Sequence, residues 1–250
     1  MTRAVRNRDR YATTDFDKWA TNGRHLSSAE RWLIENYLSK DGDTMEAGTG
    51  GGSIVYAMRG MGFTSLTGFD NVPGLVQAAR AGDPAGEITF DVQEATDLDY
   101  EDGSFDQIIY FQLLLSLVEG EEGRVEALRE AYRVLRSGGV ALFCVASRET
   151  GESRTTIRAM GLWLSALRAL RRTDRNPQDW PHIRVGDQRN LGAFLDRGPY
   201  LHWFTEAEAR ELLEAAGFSI VLAADDQELT SRAGGLERPG AGLWFVCTKG

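Results

Sequence analysis

The first chemically suggestive segment is a glycine-rich turn, Glu46-Ala47-Gly48-Thr49-Gly50-Gly51-Gly52, between a short apolar stretch and a segment with helical periodicity. Glycines in such a turn let the backbone bend tightly and approach a ligand closely, because a Cβ atom would collide with it. Asp70 follows Gly50 by 20 residues, at the end of the next apolar stretch. A carboxylate there can accept hydrogen bonds from both hydroxyl groups of a ribose. We therefore predict a site for a nucleoside cofactor; the alternatives are a tight loop without a ligand and a solvated turn aspartate.

The spacing of these glycines bears on the class of cofactor. A dinucleotide-binding fingerprint, G-x-G-x-x-G, would start at Gly48 but needs Gly or Ala where Ser53 stands. The observed pattern is E-x-G-x-G-x-G, from Glu46 to Gly52. Because NAD enzymes also place an acid where Asp70 stands, that residue indicates a ribose and does not identify the cofactor.

Seven short apolar runs are predicted to be strands that position this turn, and helices are predicted to separate the first six. The last connection, residues 225–242, is acidic and glycine-rich without an apolar helical face, which suits an antiparallel pair. The pattern predicts an α/β fold with a Rossmann-like, seven-stranded, mostly parallel sheet, helices on both faces and an antiparallel last strand. The predicted strands are residues 44–47, 66–69, 88–93, 105–111, 140–145, 218–223 and 243–248.

Residues 148–204 interrupt the alternation as a long insertion after the fifth strand, with a helix predicted over residues 156–172. Residues 154–197 contain nine Arg and four Asp, whereas the chain as a whole has a net charge of −9. One interpretation of this local excess is a solvated helix face. Its members would be Arg158, Arg168, Arg171 and Arg172, opposite Ile157, Met160, Leu164 and Leu167.

Two other interpretations of the basic insertion involve a ligand. Arg184 or Arg189 could clamp an anionic small substrate through paired hydrogen bonds. Alternatively, a basic amphipathic helix with Trp163 could rest on a membrane or contact a lipid-like substrate. The sequence leaves all three interpretations open.

Composition limits the class of protein. With 250 residues, of which 42% are apolar, the chain is predicted to form a single domain over residues 1–250. No apolar run reaches the ~20 residues of a membrane span, and the two cysteines are expected to be buried thiols, so we expect a cytoplasmic protein. No metal site is expected, because no His or Cys residues stand at ligand spacing. The acidic balance argues against nucleic acid as a partner, and a homodimer is left open.

Residues 27–147 and 203–250 resemble the class I S-adenosylmethionine-dependent methyltransferases. The first motif of that family matches the glycine-rich turn at residues 46–52, and its ribose-binding acid matches Asp70. The family also matches, in the right order, the segments that lead into the fourth and fifth strands, and a later helix and strand.

A third motif of that family is an acid followed by a small residue, which matches Glu94-Ala95. The resemblance implies that this acid accepts a hydrogen bond from the adenine amino group, and that the next backbone N–H meets a ring nitrogen. The family usually has Asp where Glu94 stands, a departure that leaves two options: a shifted contact, or its transfer to Asp97.

The resemblance implies S-adenosylmethionine as the cofactor and S-adenosylhomocysteine as its product. It also implies that residues 1–26 form a lid segment over the cofactor. The residues that it implies as cofactor-binding are Glu46, Gly48, Thr49, Gly50, Gly52, Asp70, Asn71, Glu94, Ala95, Tyr110, Phe111, Phe16 and Trp19.

The implied reaction is in-line transfer of a methyl group from a sulfonium, in which the protein mainly holds the nucleophile close and aligned. A general base is needed only when the nucleophile carries a proton at neutral pH. His182 and His202 lie in the insertion, where such enzymes often build the substrate site, and are the candidates for that base. The alternative for each is a loop histidine packed beside a tryptophan.

We therefore expect a methyltransferase that acts on an O or N atom of a small molecule, anionic or lipid-like, in specialised metabolism. An NAD-dependent oxidoreductase on a similar sheet is one alternative. A cofactor-binding protein without catalysis is the other.

Overall fold

The structure is a computed structural model that describes residues 11–12, 16–20, 25–150, 154–173, 175–181, 184–185, 188–189, 191–238 and 240–250. The helices named below are α1 (Phe16–Ala20), α2 (Ser28–Tyr37), α3 (Ser53–Gly60), α4 (Pro73–Gly82), α5 (Leu114–Leu117), α6 (Gly120–Val134), α7 (Arg154–Arg171), a 3₁₀ helix (Leu191–Leu195), α8 (Glu206–Ala215) and α9 (Asp226–Arg232). The strands are β1 (Thr44–Ala47), β2 (Leu66–Asp70), β3 (Thr89–Val92), β4 (Phe105–Tyr110), β5 (Leu135–Ala146), β6 (Asp179–Pro181), β7 (Arg184–Val185), β8 (Gln188–Arg189), β9 (Tyr200–His202), β10 (Phe218–Asp225) and β11 (Gly242–Lys249).

Seven strands form the central sheet, in the order β10-β11-β5-β4-β1-β2-β3. The pairs β1–β2, β1–β4, β2–β3 and β4–β5 are parallel, whereas β11 is antiparallel to both β5 and β10. The predicted seven-stranded, mostly parallel sheet with an antiparallel last strand is confirmed. Ligands of open α/β sheets bind at the carboxyl ends of the strands. We therefore expect the ligand site at the edge where β1, β2 and β4 end.

Two predicted connections are wrong. Residues 93–104, between β3 and β4, contain no helix and instead turn through a bridge between Glu94 and Asp97. The connection between β10 and β11, predicted to lack a helix, contains α9. Asp225 caps α9 by accepting a hydrogen bond from the Glu228 N–H, and the helix buries Leu229. A helix of one or two turns with so few buried residues gives too weak a periodic pattern to detect.

Helices cover both faces of the sheet, and each face has its own apolar core. Side chains alternate between faces along a strand, so Ile108 and Tyr110 of β4 lie in one core while Ile109 and Phe111 lie in the other. All four are almost completely buried. The strand ends, and hence the loops that follow them, are therefore held from both sides.

The insertion follows β5 as predicted. The interpretation of Arg168 as part of a solvated helix face is wrong. This side chain is buried: its Nε donates to Asp196 Oδ2 at 2.8 Å, and its Nη2 donates to Oδ1 at 2.7 Å. A buried carboxylate needs a cation or several hydrogen bonds, so the pairing with Asp196 accounts for the burial of Arg168. Arg171 and Arg172 are exposed, and the Arg158 side chain lies outside the described residues. Within the described part of the chain, no helix combines the length and apolar character needed to cross a bilayer.

Candidate cofactor-binding site

The loop between β1 and α3 has the backbone that its glycines allow. It enters the left-handed region at Gly48 (φ 68°), Gly50 (φ 55°) and Gly52 (φ 87°), where L side chains are strained. The Gly51 N–H donates to the Trp19 carbonyl oxygen at 2.7 Å, and a Cβ atom on Gly51 would also stand 2.7 Å from that oxygen. The glycine run therefore serves a second purpose, which is the close approach of α1 to the loop.

Asp70 ends β2 beside this loop. Its Oδ2 accepts from the Gly50 N–H at 3.0 Å, and its Oδ1 accepts from the Val72 N–H at 2.9 Å. Burial raises the pKa of Asp70, and the backbone N–H groups of Val72 and Gly50 offset part of that rise. A carboxylate has about four lone-pair sites, so these two bonds leave capacity for two more donors.

The acid after β3 lies next to Asp70. The Glu94 carboxylate accepts a hydrogen bond from Asn71 Nδ2 at 3.0 Å, while Ala95 is buried behind it. Glu94 therefore stays at the mouth of the site despite its extra methylene. Asp97 does not contribute to the cavity wall described next.

A cavity of about 1120 Å³ opens over the carboxyl ends of β1, β2 and β4. Its volume and its wall of glycine backbone, carboxylates and apolar groups fit an adenosyl group with an amino-acid tail. The residues predicted as cofactor-binding that line it are Gly48, Gly50, Asp70, Asn71, Glu94, Ala95, Phe111 and Trp19.

Three of the other predicted residues pack against the loop on the side away from the cavity. Glu46 and Thr49 are buried, and the Thr49 hydroxyl donates to Glu46 Oε2 at 2.6 Å. A Cβ atom on Gly52 would stand 2.7 Å from the Tyr56 ring, so this glycine faces the packing under α3. These residues position the loop and do not form the cavity wall.

The remaining two predicted contacts are not in the wall. Tyr110 points into the core of the opposite face, where its hydroxyl has no hydrogen-bond partner, and burial raises its pKa. Since side chains alternate along β4, Phe111 lines the cavity and Tyr110 cannot. Phe16 packs on α4, with its ring 3.0 Å from where a Cβ atom of Gly74 would stand.

Sequence reasoning missed Gln112, which lines the cavity directly after β4. Gln112 and Leu113 both have positive φ angles, 56° and 60°, a strained conformation for residues other than glycine. Gln112 Nε2 donates a short hydrogen bond to the buried Glu30 carboxylate on α2. A glycine would have signalled such a turn, whereas Gln-Leu gives no sequence signal.

The structure does not bring His202 into the cavity. Its Nδ1 lies 2.9 Å from Asp179 Oδ1, and its Nε2 lies 2.9 Å from Glu208 Oε1. The ring is buried, and each of its two nitrogens lies within hydrogen-bond distance of a carboxylate oxygen. This geometry argues against the base hypothesis for His202 and favours a structural role. His182 lies outside the described residues.

Residues 45–143, from β1 to β5, match the family model described as a methyltransferase domain. Residues 45–143 therefore belong to a methyltransferase domain. S-adenosylmethionine is therefore the cofactor, and the NAD-dependent alternative is not supported. No curated protein sequence matches the chain.

Solved structures share the fold of this methyltransferase at low sequence identity. A S-adenosylmethionine-dependent methyltransferase of Methanosarcina mazei is 20% identical over 87% of this chain and 96% of that chain, with a TM-score of 0.65. The PH0226 protein of Pyrococcus horikoshii is 15% identical over 97% and 99% of the two chains, with a TM-score of 0.62. The 1,6-didemethyltoxoflavin-N1-methyltransferase of Burkholderia thailandensis, solved with 1,6-didemethyltoxoflavin and S-adenosylhomocysteine, is 18% identical over 98% and 88%, with a TM-score of 0.60.

When bound, S-adenosylmethionine supplies an activated methyl group on a sulfonium. The residues of the methyltransferase would position this cofactor. The Asp70 carboxylate has lone pairs left for ribose hydroxyls, the Glu94 carboxylate stands at the third strand, and Trp19 covers the loop. These residues would hold the cofactor without touching its methyl group, so we expect the chain to act mainly by alignment.

Proposed function

We propose that this methyltransferase transfers the methyl group to an oxygen or nitrogen atom of a small molecule in specialised metabolism, and that residues ahead of position 27 close over the cofactor. The observation that carries the proposal is a second cavity of about 840 Å³ over the carboxyl end of β5. It lies where β5, β10 and β11 meet the insertion, and its size suits a small molecule. The bound small molecule of the Burkholderia thailandensis relative supports the same class of acceptor.

The strand order supports this assignment of the second cavity. Ser147 and Arg148, directly after β5, belong to its wall, whereas Gln112, directly after β4, belongs to the cofactor cavity. Because β4 and β5 are paired neighbours, about 4.8 Å apart, a molecule in the second cavity needs to reach across one strand to meet the methyl group.

The wall of the second cavity indicates the chemistry of the acceptor. Its charged members are Arg148 and four acids, Glu149, Glu206, Asp225 and Glu228. This balance favours a neutral or amine-bearing acceptor over the anionic one that the sequence left open; the side chains of Arg184 and Arg189 lie outside the described residues. Thr150 is buried in the wall, and its hydroxyl has no hydrogen-bond partner among the residues that the structure describes, so we infer that it bonds a polar group of the acceptor.

The test is formation of S-adenosylhomocysteine with a panel of small hydroxyl and amine compounds. With an active acceptor, Thr150→Val should raise KM severalfold and leave the Kd for S-adenosylhomocysteine unchanged, because only an acceptor hydrogen bond is lost. Thr64→Val, at an exposed threonine that lines neither cavity, is the matched control. A protein that binds the cofactor but methylates nothing in the panel would instead support the non-catalytic alternative.

A further inference from the structure

The central part of helix α7 buries its one charged side chain and exposes three large apolar ones. Between Ala159 and Leu170 its only charged residue is Arg168, which is buried against Asp196. Leu162, Trp163 and Leu170 are 75%, 53% and 82% exposed. A surface helix normally buries its apolar side chains and exposes its charged ones. An exposed apolar face of this kind indicates an interaction surface.

The 3₁₀ helix beside α7 extends the apolar face. Trp163 Nε1 donates to the Phe194 carbonyl oxygen at 2.8 Å, and Arg171 Nη1 donates to the Leu195 carbonyl oxygen at 2.7 Å, so the two helices lie side by side. Of the nine large apolar side chains exposed among the described residues, six belong to this surface. These six define the α7 patch: Leu162, Trp163, Leu170, Leu191, Phe194 and Leu195.

The positive charge at the edge of the α7 patch favours an anionic partner. Residues 154–173 contain five Arg and no Asp or Glu, within a chain of net charge −9. Arg171 and Arg172 are exposed at the end of α7, next to Leu170. Two copies joined through this patch would bring their arginines to one interface, whereas an anionic surface would neutralise them. Leucine, tryptophan and phenylalanine flanked by arginine are the side chains that lie at the boundary between headgroups and acyl chains.

We propose that the α7 patch docks this protein on the surface of an anionic lipid bilayer, without crossing it. The apolar side chains enter the headgroup boundary, and Arg171 and Arg172 contact lipid phosphates. Gly161, Leu162 and Ser165 of α7 also line the second cavity, so docking places that cavity at the lipid surface. The docking is a property of the outer face of α7 and does not depend on which acceptor is methylated.

The test is co-sedimentation of the full chain with vesicles of phosphatidylcholine, alone or mixed with phosphatidylglycerol. We expect binding to the mixed vesicles that weakens as salt is added, because the arginine contacts are screened. The double substitution Leu162→Ser and Leu170→Ser should lower the partition coefficient at least about tenfold, since burying one leucine is worth roughly that factor. Arg171→Gln with Arg172→Gln should lower it severalfold and remove most of the salt dependence.

The matched control is Leu236→Ser with Arg238→Gln, an exposed leucine and arginine outside the patch. This control should bind vesicles as the natural chain does. All variants should keep the Kd for S-adenosylhomocysteine, which reports an intact fold. Failure to sediment with either vesicle would overturn the proposal. A dimer in analytical ultracentrifugation that the leucine substitutions abolish would also overturn it, by assigning the patch to a second copy.

Discussion

The cofactor half of the sheet and the insertion after β5 are stabilised in different ways. Around β1, β2 and β4 the core is apolar on both faces, and the loop over it is fixed by backbone hydrogen bonds such as Gly50 N–H to Asp70. The insertion instead buries charge. Its interior contains the Arg168–Asp196 ion pair and His202 between Asp179 and Glu208, while Leu162 and Leu170 of α7 are exposed.

This difference has a physical consequence for each region. An apolar core tolerates the loss of one polar contact near its edge, so substitutions at the cofactor site should change binding more than folding. A buried ion pair behaves differently, because removal of one partner leaves an uncompensated charge. Substitutions inside the insertion should therefore change its stability more than they change cofactor binding.

Arg168→Ala should have the largest effect on stability. It leaves Asp196 buried without its main partner, and loss of one partner of a buried pair costs about 3–5 kcal/mol. We expect the insertion to become sensitive to limited proteolysis and the denaturant midpoint to fall, with the Kd for S-adenosylhomocysteine unchanged. Arg172→Ala, at an exposed arginine four residues later, is the control. Equal protease sensitivity of the two variants would refute the contrast between the regions.

His202→Gln should have the next largest effect on stability. The substitution removes two hydrogen bonds to carboxylates, worth about 1.5–3 kcal/mol each. Burial raises the pKa of Glu208, but the hydrogen bond and electrostatic interaction with His202 outweigh this effect, so the pKa of Glu208 lies below its usual value. We expect a lower denaturant midpoint and an unchanged pH profile of kcat. The exposed His25→Gln is the control, and loss of one limb of the pH profile in the His202 variant would restore the base hypothesis.

The sequence predicted the cofactor half well because its signals are local. The left-handed angles at Gly48 and Gly50 demand glycine, and a carboxylate at the end of β2 is needed next to that loop. The two positions are 20 residues apart, but each is marked by its own residue type at the end of a strand, and together they leave a recognisable spacing. What the spacing could not show is which residues touch the cavity: Tyr110 and Phe111 are neighbours in sequence but point to opposite faces.

The insertion was predicted poorly because its decisive contacts are distant in sequence. Arg168 is 28 residues from Asp196, and His202 is 23 residues from Asp179. Helical periodicity can indicate which residues share a face, but not which face is buried when the buried face carries an arginine. The residue types therefore indicated a solvated cation and a catalytic base, where the structure has a buried Arg168–Asp196 ion pair and a buried histidine between two carboxylates.

Asp70→Ala should change cofactor binding and leave the insertion intact. Without the carboxylate, the ribose hydroxyls lose their acceptor, and we expect the Kd for S-adenosylhomocysteine to rise at least about tenfold in calorimetry. Asp99→Ala, at an exposed aspartate after β3, should bind normally. An unchanged Kd in the Asp70 variant would show that the cofactor does not use this carboxylate.

The smallest effect is a pH dependence of cofactor binding that follows from the environment of Asp70. Burial raises the pKa of this carboxyl group in the protein without cofactor, and only the charged form can accept from two hydroxyl groups. As pH falls, Asp70 is therefore protonated earlier than an ordinary aspartate, whose pKa is about 3.9, and binding weakens in that higher range. Calorimetry between neutral and mildly acidic pH should show this loss for the natural chain. Asp70→Asn, which is close in shape but cannot be charged, should give a weaker Kd without that pH dependence, whereas an identical pH dependence in both would assign the titrating group elsewhere.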